Sequence, residues 1–106
     1  MMKTAEMQIK RQAQVNYERY IDVPKDGLKY VGRLLTCNAE VYVNDGVYYL
    51  KSYKTFVAAV DTNKALCIDY LRAVYKYTHT SAQHISKFFD VYAPWNKNYK
   101  CIIRIE

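Results

Sequence analysis

The two histidines of the chain lie in one short stretch, YTHTSAQHISKFF (77–89), among threonine and serine hydroxyls. Imidazole and hydroxyl groups build metal sites and nucleophilic catalytic sites, so this stretch is the first candidate for chemistry. His79 and His84 are five residues apart, whereas two metal ligands on one helix need a spacing of three or four to share a face. We therefore predict no metal site here and no cofactor.

The hydroxyl residues of this stretch have a structural explanation. Thr80 is followed three residues later by Gln83, which is the pattern of a capping box. The hydroxyl would accept the third helical N–H while the glutamine reaches back to the N–H of the cap, and Ser81 can take the cap role if the boundary shifts by one. The stretch is therefore predicted to begin a helix at about 80–92.

The cysteines Cys37, Cys67 and Cys101 are the remaining candidate nucleophiles. Their odd number and wide spacing argue against a disulfide framework and against a structural zinc site. A Cys-His hydrolase needs a thiolate beside a histidine, but Cys67 and Cys101 fall in predicted strands, where thiols are usually buried and inert. No phosphate-binding loop can be drawn from three scattered glycines, and the carboxylates form no local pair. We predict that the chain is not an enzyme.

The length of 106 residues predicts a single domain, 1–106, with one hydrophobic core. The sequence contains no run of about 18 apolar residues, and its first residues, MMKTAEMQIKRQAQ, lack the apolar segment of a signal peptide. We therefore expect a cytoplasmic protein, in a host bacterial cell, with no membrane partner.

The predicted elements follow the order helix, four strands, helix, strand. Asn44, Asp45 and Gly46 lie between two β-branched and aromatic runs and are typical of a tight hairpin turn. The first helix starts after Thr4 and ends before a turn at 23–27. The strands are expected at about 39–43, 47–53, 54–61, 65–71 and 99–105. Two segments stay open: 28–35 is a helical turn or an irregular entry to the sheet, and 72–77 is extended or helical.

This order predicts an α+β fold in which the helices pack on one face of a mainly antiparallel sheet. Four consecutive strands joined by short turns form an antiparallel meander. The edge strands of such a sheet stay open, so a homodimer or an added partner strand is an expected mode of association.

Basic and aromatic residues alternate in three segments, 49–54, 70–77 and 95–104, of a chain with net charge +6 and twelve tyrosines. Aromatic rings that stack on bases and cations that meet phosphates are the means by which proteins hold single-stranded nucleic acid. The opposing interpretation is ordinary solubility charge and tyrosines in the core or in cross-strand pairs. The three segments could form one surface, and the candidate partner-binding residues are Lys51, Tyr53, Lys54, Arg72, Tyr75, Lys76, Tyr77, His84, Trp95, Lys97 and Lys100.

Two stretches, LKSYKTFVA (50–58) and YTHTSAQHISKF (77–88), resemble the signatures SYxTxVA and YxxTSxxHIxxF of small uncharacterised proteins encoded by bacteriophages and mobile elements. The resemblance covers about residues 40–92 and implies a genomic setting rather than a reaction. Small phage proteins commonly act by stoichiometric binding to host machinery, and anti-CRISPR proteins are the best-known such class. Within these signatures, Tyr53, Tyr77 and His84 have two interpretations: they belong to a tyrosine-lined sheet packed beneath a capped helix, or they form one exposed polar-aromatic patch.

The leading hypothesis is therefore a non-enzymatic phage or mobile-element protein that binds a host protein or nucleoprotein, in the manner of an anti-CRISPR inhibitor of a Cas effector. The basic charge separates it from acidic inhibitors that imitate DNA. The alternative is a module that binds RNA or single-stranded DNA through its Lys/Arg/Tyr surface.

Overall fold

A computed structural model describes residues 19–34, 38–76, 78–96 and 102–105. Residues 19–21 are helical, and the rest of the predicted first helix lies outside the described residues. Within the described part of the chain there are six strands and two further helices. They are β1 (Lys29–Arg33), β2 (Ala39–Asn44), β3 (Val47–Ser52), β4 (Thr55–Asp61), β5 (Leu66–Asp69), α1 (Leu71–Val74), α2 (His79–Tyr92) and β6 (Ile102–Arg104).

The six strands form one sheet in the chain order β1-β2-β3-β4-β5-β6. The first five strands are antiparallel neighbours, whereas β6 lies parallel to β5. The predicted α+β class with a mainly antiparallel sheet is confirmed. The predicted meander of four strands is too short, because β1 adds a fifth antiparallel strand in the segment that the sequence left open.

The start of the sheet is irregular, which explains why β1 is hard to detect in the sequence. The pairing of β1 with β2 shifts its register between Tyr30 and Gly32, so the alternation of side chains that marks a strand is broken there. Four of its five residues are exposed, so the strand has no apolar face that a pattern could reveal.

The hairpin turn between β2 and β3 forms where the sequence predicts it. Asp45 and Gly46 have φ of 50° and 78°, the positive values that a two-residue turn needs. Asn63 from the β4–β5 turn donates its amide to the Asp45 carbonyl at 2.7 Å, and the Thr62 N–H donates to the Gly46 carbonyl at 3.0 Å. The β2–β3 and β4–β5 turns are therefore hydrogen-bonded to each other at the same end of the sheet.

The main core lies between α2 and one face of the sheet. Ile85, Phe88 and Phe89 of α2 are buried against Leu50 and Val57. The helix ends at Tyr92, before Pro94, as predicted from the restriction that proline places on the preceding residue. None of the helices in the described part of the chain has the length and apolar character needed to cross a bilayer.

The opposite face of the sheet is partly covered as well. Tyr20 and Tyr70 are buried against Ile68 on this face, together with partly buried residues of the segment before β1. The Tyr20 hydroxyl donates to the Asp61 carboxylate at 2.5 Å. Several tyrosines thus belong to the core, which is one of the two roles predicted for them.

The N-terminus of α2 differs from the predicted capping box. Thr78 is the cap, because its backbone is extended and its hydroxyl accepts the Ser81 N–H at 3.2 Å. Thr80 and Ser81 lie inside the first turn, so neither can serve as the cap. Gln83 contacts His79 instead, with 3.1 Å between their Nε2 atoms. The helix therefore begins one residue earlier than predicted.

Candidate binding site

The predicted partner-binding residues do not share one surface. Lys51 points to the sheet face opposite α2, where its Nζ lies 5.6 Å from the Phe56 ring centre. Arg72 lines a different cleft with Asp69. Trp95 is exposed beyond the C-terminal end of α2. The single predicted surface is therefore divided. Three further candidates lie outside the described residues: Tyr77, Lys97 and Lys100.

The cleft beside Arg72 holds two arginines, Arg72 and Arg104, and one carboxylate, Asp69. Burial raises the pKa of the Asp69 carboxyl, while the Leu71 N–H and the charges of Arg104 and Arg72 oppose that rise. Arg104 lies 3.9 Å from the Asp69 carboxylate. Since a carboxylate already lies among these arginines, the cleft is a poorer candidate for binding an anion.

Three predicted residues, Tyr53, Lys54 and Tyr75, do come together. They line a cleft of about 460 Å³ between the β3–β4 turn, α1 and the N-terminal turn of α2, which we call the tyrosine cleft. Tyr53 and Tyr75 are 55% and 58% exposed. Side-chain hydroxyls and Lys54 supply the polar lining, and among the described residues no carboxylate contributes to it. Lys76 follows Tyr75 directly and is exposed.

Tyr53 has an unusual backbone conformation. Its φ of 57° places it in the left-handed region, which bulky side chains rarely adopt. The two-residue turn between Ser52 and Thr55 imposes this conformation, and the Tyr53 N–H donates to the Asn38 carbonyl at 2.9 Å. Residues held in such conformations are enriched at functional sites. The turn thus fixes an exposed aromatic ring at the rim of the cleft.

The tyrosine cleft is lined by Ser52 and Ser81, which form a buried hydrogen-bonded group with His84 that we call the Ser-Ser-His group. The Ser52 hydroxyl lies 3.0 Å from the Ser81 hydroxyl and 2.9 Å from Nδ1 of His84. His84 is only 5% exposed, so the packed interpretation applies to it and the exposed patch with Tyr53, in which it would bind a partner, does not form. The His84 ring lies beneath Tyr53, with 5.8 Å between ring centroids.

The contact between Ser52 and His84 has the length of a nucleophile–base pair. Ser52 is itself buried, and the described residues provide no carboxylate hydrogen-bonded to the imidazole. Cys67 is also buried, and Asn96 donates to its sulfur at 3.3 Å. Among the described residues no group of three His, Cys, Asp or Glu side chains could hold a metal ion. The geometry of the Ser-Ser-His group favours support of the turn over chemistry.

The Ser-Ser-His group should make stability depend on pH. Burial, followed by the charge of Lys87, lowers the pKa of His84, so the folded protein resists protonation at a site that the unfolded chain protonates near pH 6.5. The free energy of unfolding should therefore be greatest above about pH 6.5 and fall below it, by up to about 1.4 kcal/mol per pH unit from this residue.

Urea unfolding at several pH values tests this dependence. His84→Gln, whose amide can still bond Ser52, should flatten the decline between about pH 6.5 and pH 5.5. His79→Gln, at the exposed histidine of the same helix, is the matched control and should keep the wild-type profile. An unaltered decline in His84→Gln would contradict the assignment.

A second group of aromatic side chains, absent from the predicted set, lies on the sheet face opposite α2. Its members, Tyr30, Tyr42 and Phe56, come from β1, β2 and β4, and we call them the aromatic row. The β2–β3 hairpin places Tyr42 opposite Tyr49, and this register is implied by the predicted turn. The sequence does not place Tyr30, because the register shift and the exposed residues of β1 leave no local strand pattern.

Comparison with known proteins identifies a family for most of the chain. Residues 30–103 match the model of a family described as "Family of unknown function (DUF8033)". No curated protein and no solved structure matches the chain.

Proposed function

The chain belongs to DUF8033, a family of unknown function, and we propose that it is a non-enzymatic binding protein that acts by stoichiometric contact with a host nucleoprotein. The observation that carries this proposal is the pair of exposed tyrosines, Tyr53 and Tyr75, on the rim of the tyrosine cleft. Tyrosine is among the residues that dominate binding energy at protein interfaces.

The cleft has the properties of a preformed contact site. The turn holds Tyr53 in a fixed backbone conformation, and the Ser-Ser-His group supports the turn from below. A side chain that is already ordered loses less conformational entropy on binding, so more of its contact energy appears as affinity. The hydroxyl groups of Ser52 and Ser81 are hydrogen-bonded to each other. Contact with a partner is therefore made by the rim residues, Tyr53 and Tyr75.

The kind of partner follows from charge and from the phage-like signatures. A chain of net charge +6 is attracted to the negative potential of a nucleoprotein and is unlike acidic imitators of DNA. The resemblance of 50–58 and 77–88 to proteins of phages and mobile elements supports a role against a host complex inside the bacterial cell, as an anti-CRISPR protein acts on a Cas effector.

Affinity capture from lysate of a bacterial host, with and without nuclease, tests this function. The tagged protein should retain a ribonucleoprotein whose protein component survives nuclease treatment at a defined stoichiometry. Tyr75→Ala should weaken that capture by about 30-fold or more, the effect of a central interface tyrosine. The structural reason is that Tyr75 projects its exposed ring from the end of α1 into the cleft rim.

Trp95→Ala is the control, because it removes an exposed aromatic side chain at the opposite end of α2. It should leave capture unchanged. Recovery of nucleic acid alone, lost on nuclease treatment, would overturn the proposal. Equal losses in Tyr75→Ala and Trp95→Ala would remove the tyrosine cleft as the contact site.

A further inference from the structure

The rings of the aromatic row contact one another edge to face across the sheet. The ring centroids of Tyr30 and Tyr42 are 5.4 Å apart, and those of Tyr42 and Phe56 are 5.5 Å apart. Tyr30 is 57% exposed, while Tyr42 and Phe56 are half-buried. Half-buried rings in cross-strand contact are fixed in position, and the exposed ring extends the row to the sheet edge. The row is therefore a rigid platform that reaches solvent.

The row is electrically suited to a negatively charged ligand. The Lys51 ammonium lies 5.9 Å from the Tyr42 ring centre and 5.6 Å from that of Phe56. A tyrosine phenol ionises only near pH 10, so the Tyr42 ring is uncharged at neutral pH, and burial, followed by the nearby Glu40 charge, raises its pKa further. The row thus combines neutral aromatic faces with a cation held directly over them.

Further cations lie where this face meets the β3–β4 turn. Arg33, Glu40 and Lys54 line one shallow depression there with Tyr53. Together with Lys51, this end of the sheet presents three cations and one carboxylate among its described residues. The carboxylates of Asp45 and Asp61 lie at the opposite end of the strands. Positive charge is thus concentrated beside the aromatic row.

We propose that the aromatic row binds single-stranded nucleic acid. A base stacks on the exposed ring of Tyr30, and Lys51 and Arg33 meet the phosphates of the same strand. Aromatic rings beside cations are the recurring means of holding a single strand, and antiparallel sheets with exposed aromatics use it for RNA. Tyr30 contacts Tyr42, and the Lys51 ammonium lies over Tyr42, so a strand with a base stacked on Tyr30 has its neighbouring phosphates close to the ammonium. Paired bases in a duplex cannot offer their faces in this way.

The inference goes beyond the proposed function and does not depend on it, since the row and the tyrosine cleft use different residues on different faces of the sheet. RNA and single-stranded DNA share the chemistry that this surface recognises. A nucleic-acid strand bound to the aromatic row would also lie next to Lys54. This residue lines both the shallow depression beside the row and the tyrosine cleft.

Fluorescence anisotropy with purified full-length protein and short labelled oligonucleotides tests the inference. Mixed-sequence single-stranded RNA, the same DNA sequence and its duplex are compared at about 50 mM and about 200 mM salt. Single strands should bind, more weakly at the higher salt, and more tightly than the duplex. A preference for RNA over DNA would identify the strand, and either preference agrees with the inference.

Two substitutions assign the binding to the row. Tyr30→Ala should weaken single-strand binding roughly 5- to 100-fold by removing one stacking surface. Lys51→Gln should weaken it and reduce the slope of log affinity against log salt by about 1. Trp95→Ala is again the aromatic control and should bind as the wild type does.

The inference is overturned if neither single strand binds at about 50 mM salt. It is also overturned if the duplex binds as tightly, or if Tyr30→Ala and Lys51→Gln both bind like the wild type while remaining folded by urea unfolding. Because no host partner is present in this assay, any of these results would leave the tyrosine-cleft proposal standing. If only the capture from lysate fails, the proposal that the aromatic row binds single-stranded nucleic acid is unaffected.

Discussion

Truncation of Phe88 to alanine should lower the free energy of unfolding by about 3–5 kcal/mol. Phe88 is fully buried between α2 and the sheet, and its ring contacts those of Phe89 and Tyr92 at centroid distances of 5.7 and 5.4 Å. Alanine would remove the apolar contacts and leave a cavity that the rigid sheet cannot close. Since a domain of this size is stabilised by only about 5–15 kcal/mol, a large part of its stability would be lost.

Urea unfolding of purified protein measures this loss. Val91→Ala is the matched control, because Val91 lies on the same helix and is exposed. It should change stability by no more than about 0.5 kcal/mol, as is usual for surface positions. Similar losses for Phe88→Ala and Val91→Ala would contradict the placement of α2 on the sheet.

Replacement of Tyr53 by glycine should separate binding from stability. Glycine adopts the observed φ of 57° without the steric cost of a side chain, which is about 1–2 kcal/mol in the left-handed region. The greater freedom of glycine in the unfolded chain offsets part of that gain. We expect unfolding free energy between unchanged and about 1 kcal/mol higher. Capture of the host nucleoprotein should fall by about 30-fold or more, because the rim loses its ring.

Ala65→Gly provides the control for the backbone effect. Ala65 has a φ of 53° in the β4–β5 turn, at the end of the sheet opposite to the tyrosine cleft. Like Tyr53→Gly, Ala65→Gly should leave the free energy of unfolding unchanged or raise it. Unlike Tyr53→Gly, it should leave capture of the host nucleoprotein intact. Undiminished capture by Tyr53→Gly would show that the strained turn serves the fold alone. A marked loss of stability would show that the contact between Tyr53 and His84 outweighs the strain.

The parts of the fold that the sequence predicts are those determined by neighbouring residues. The β2–β3 hairpin is predicted correctly because Asp45 and Gly46 carry the positive φ within the turn itself. The helix cap is misplaced because Thr78, Thr80 and Ser81 are equivalent as residue types, and only the extended backbone of Thr78 selects it. The parallel pairing of β6 depends on the helices between it and β5, which no local pattern records.

The candidate site residues are likewise predictable as residue types but not in their arrangement. Tyr53, Lys54 and Tyr75 are each predicted as binding residues, but their meeting depends on α1, which turns the chain back beside the β3–β4 turn. Histidine is a common residue type in functional sites. His84 is nevertheless buried and supports the β3–β4 turn, because the face of α2 that carries it packs against Ser52. The fold therefore decides which polar side chains remain available to a partner.

The parallel pairing of β6 has a consequence for the order of folding. Neighbouring strands from β1 to β5 are close in sequence, so their contacts close short loops at low entropic cost. β6 can pair with β5 only after α1 and α2 have brought the chain back to the start of β5. The contacts between β5 and β6 therefore have a large sequence separation, that is, a high contact order. The meander should therefore form first and β6 last. Amide hydrogens of the three-residue β6 should exchange early, and each such opening would briefly offer the edge of β5 to a strand from another chain.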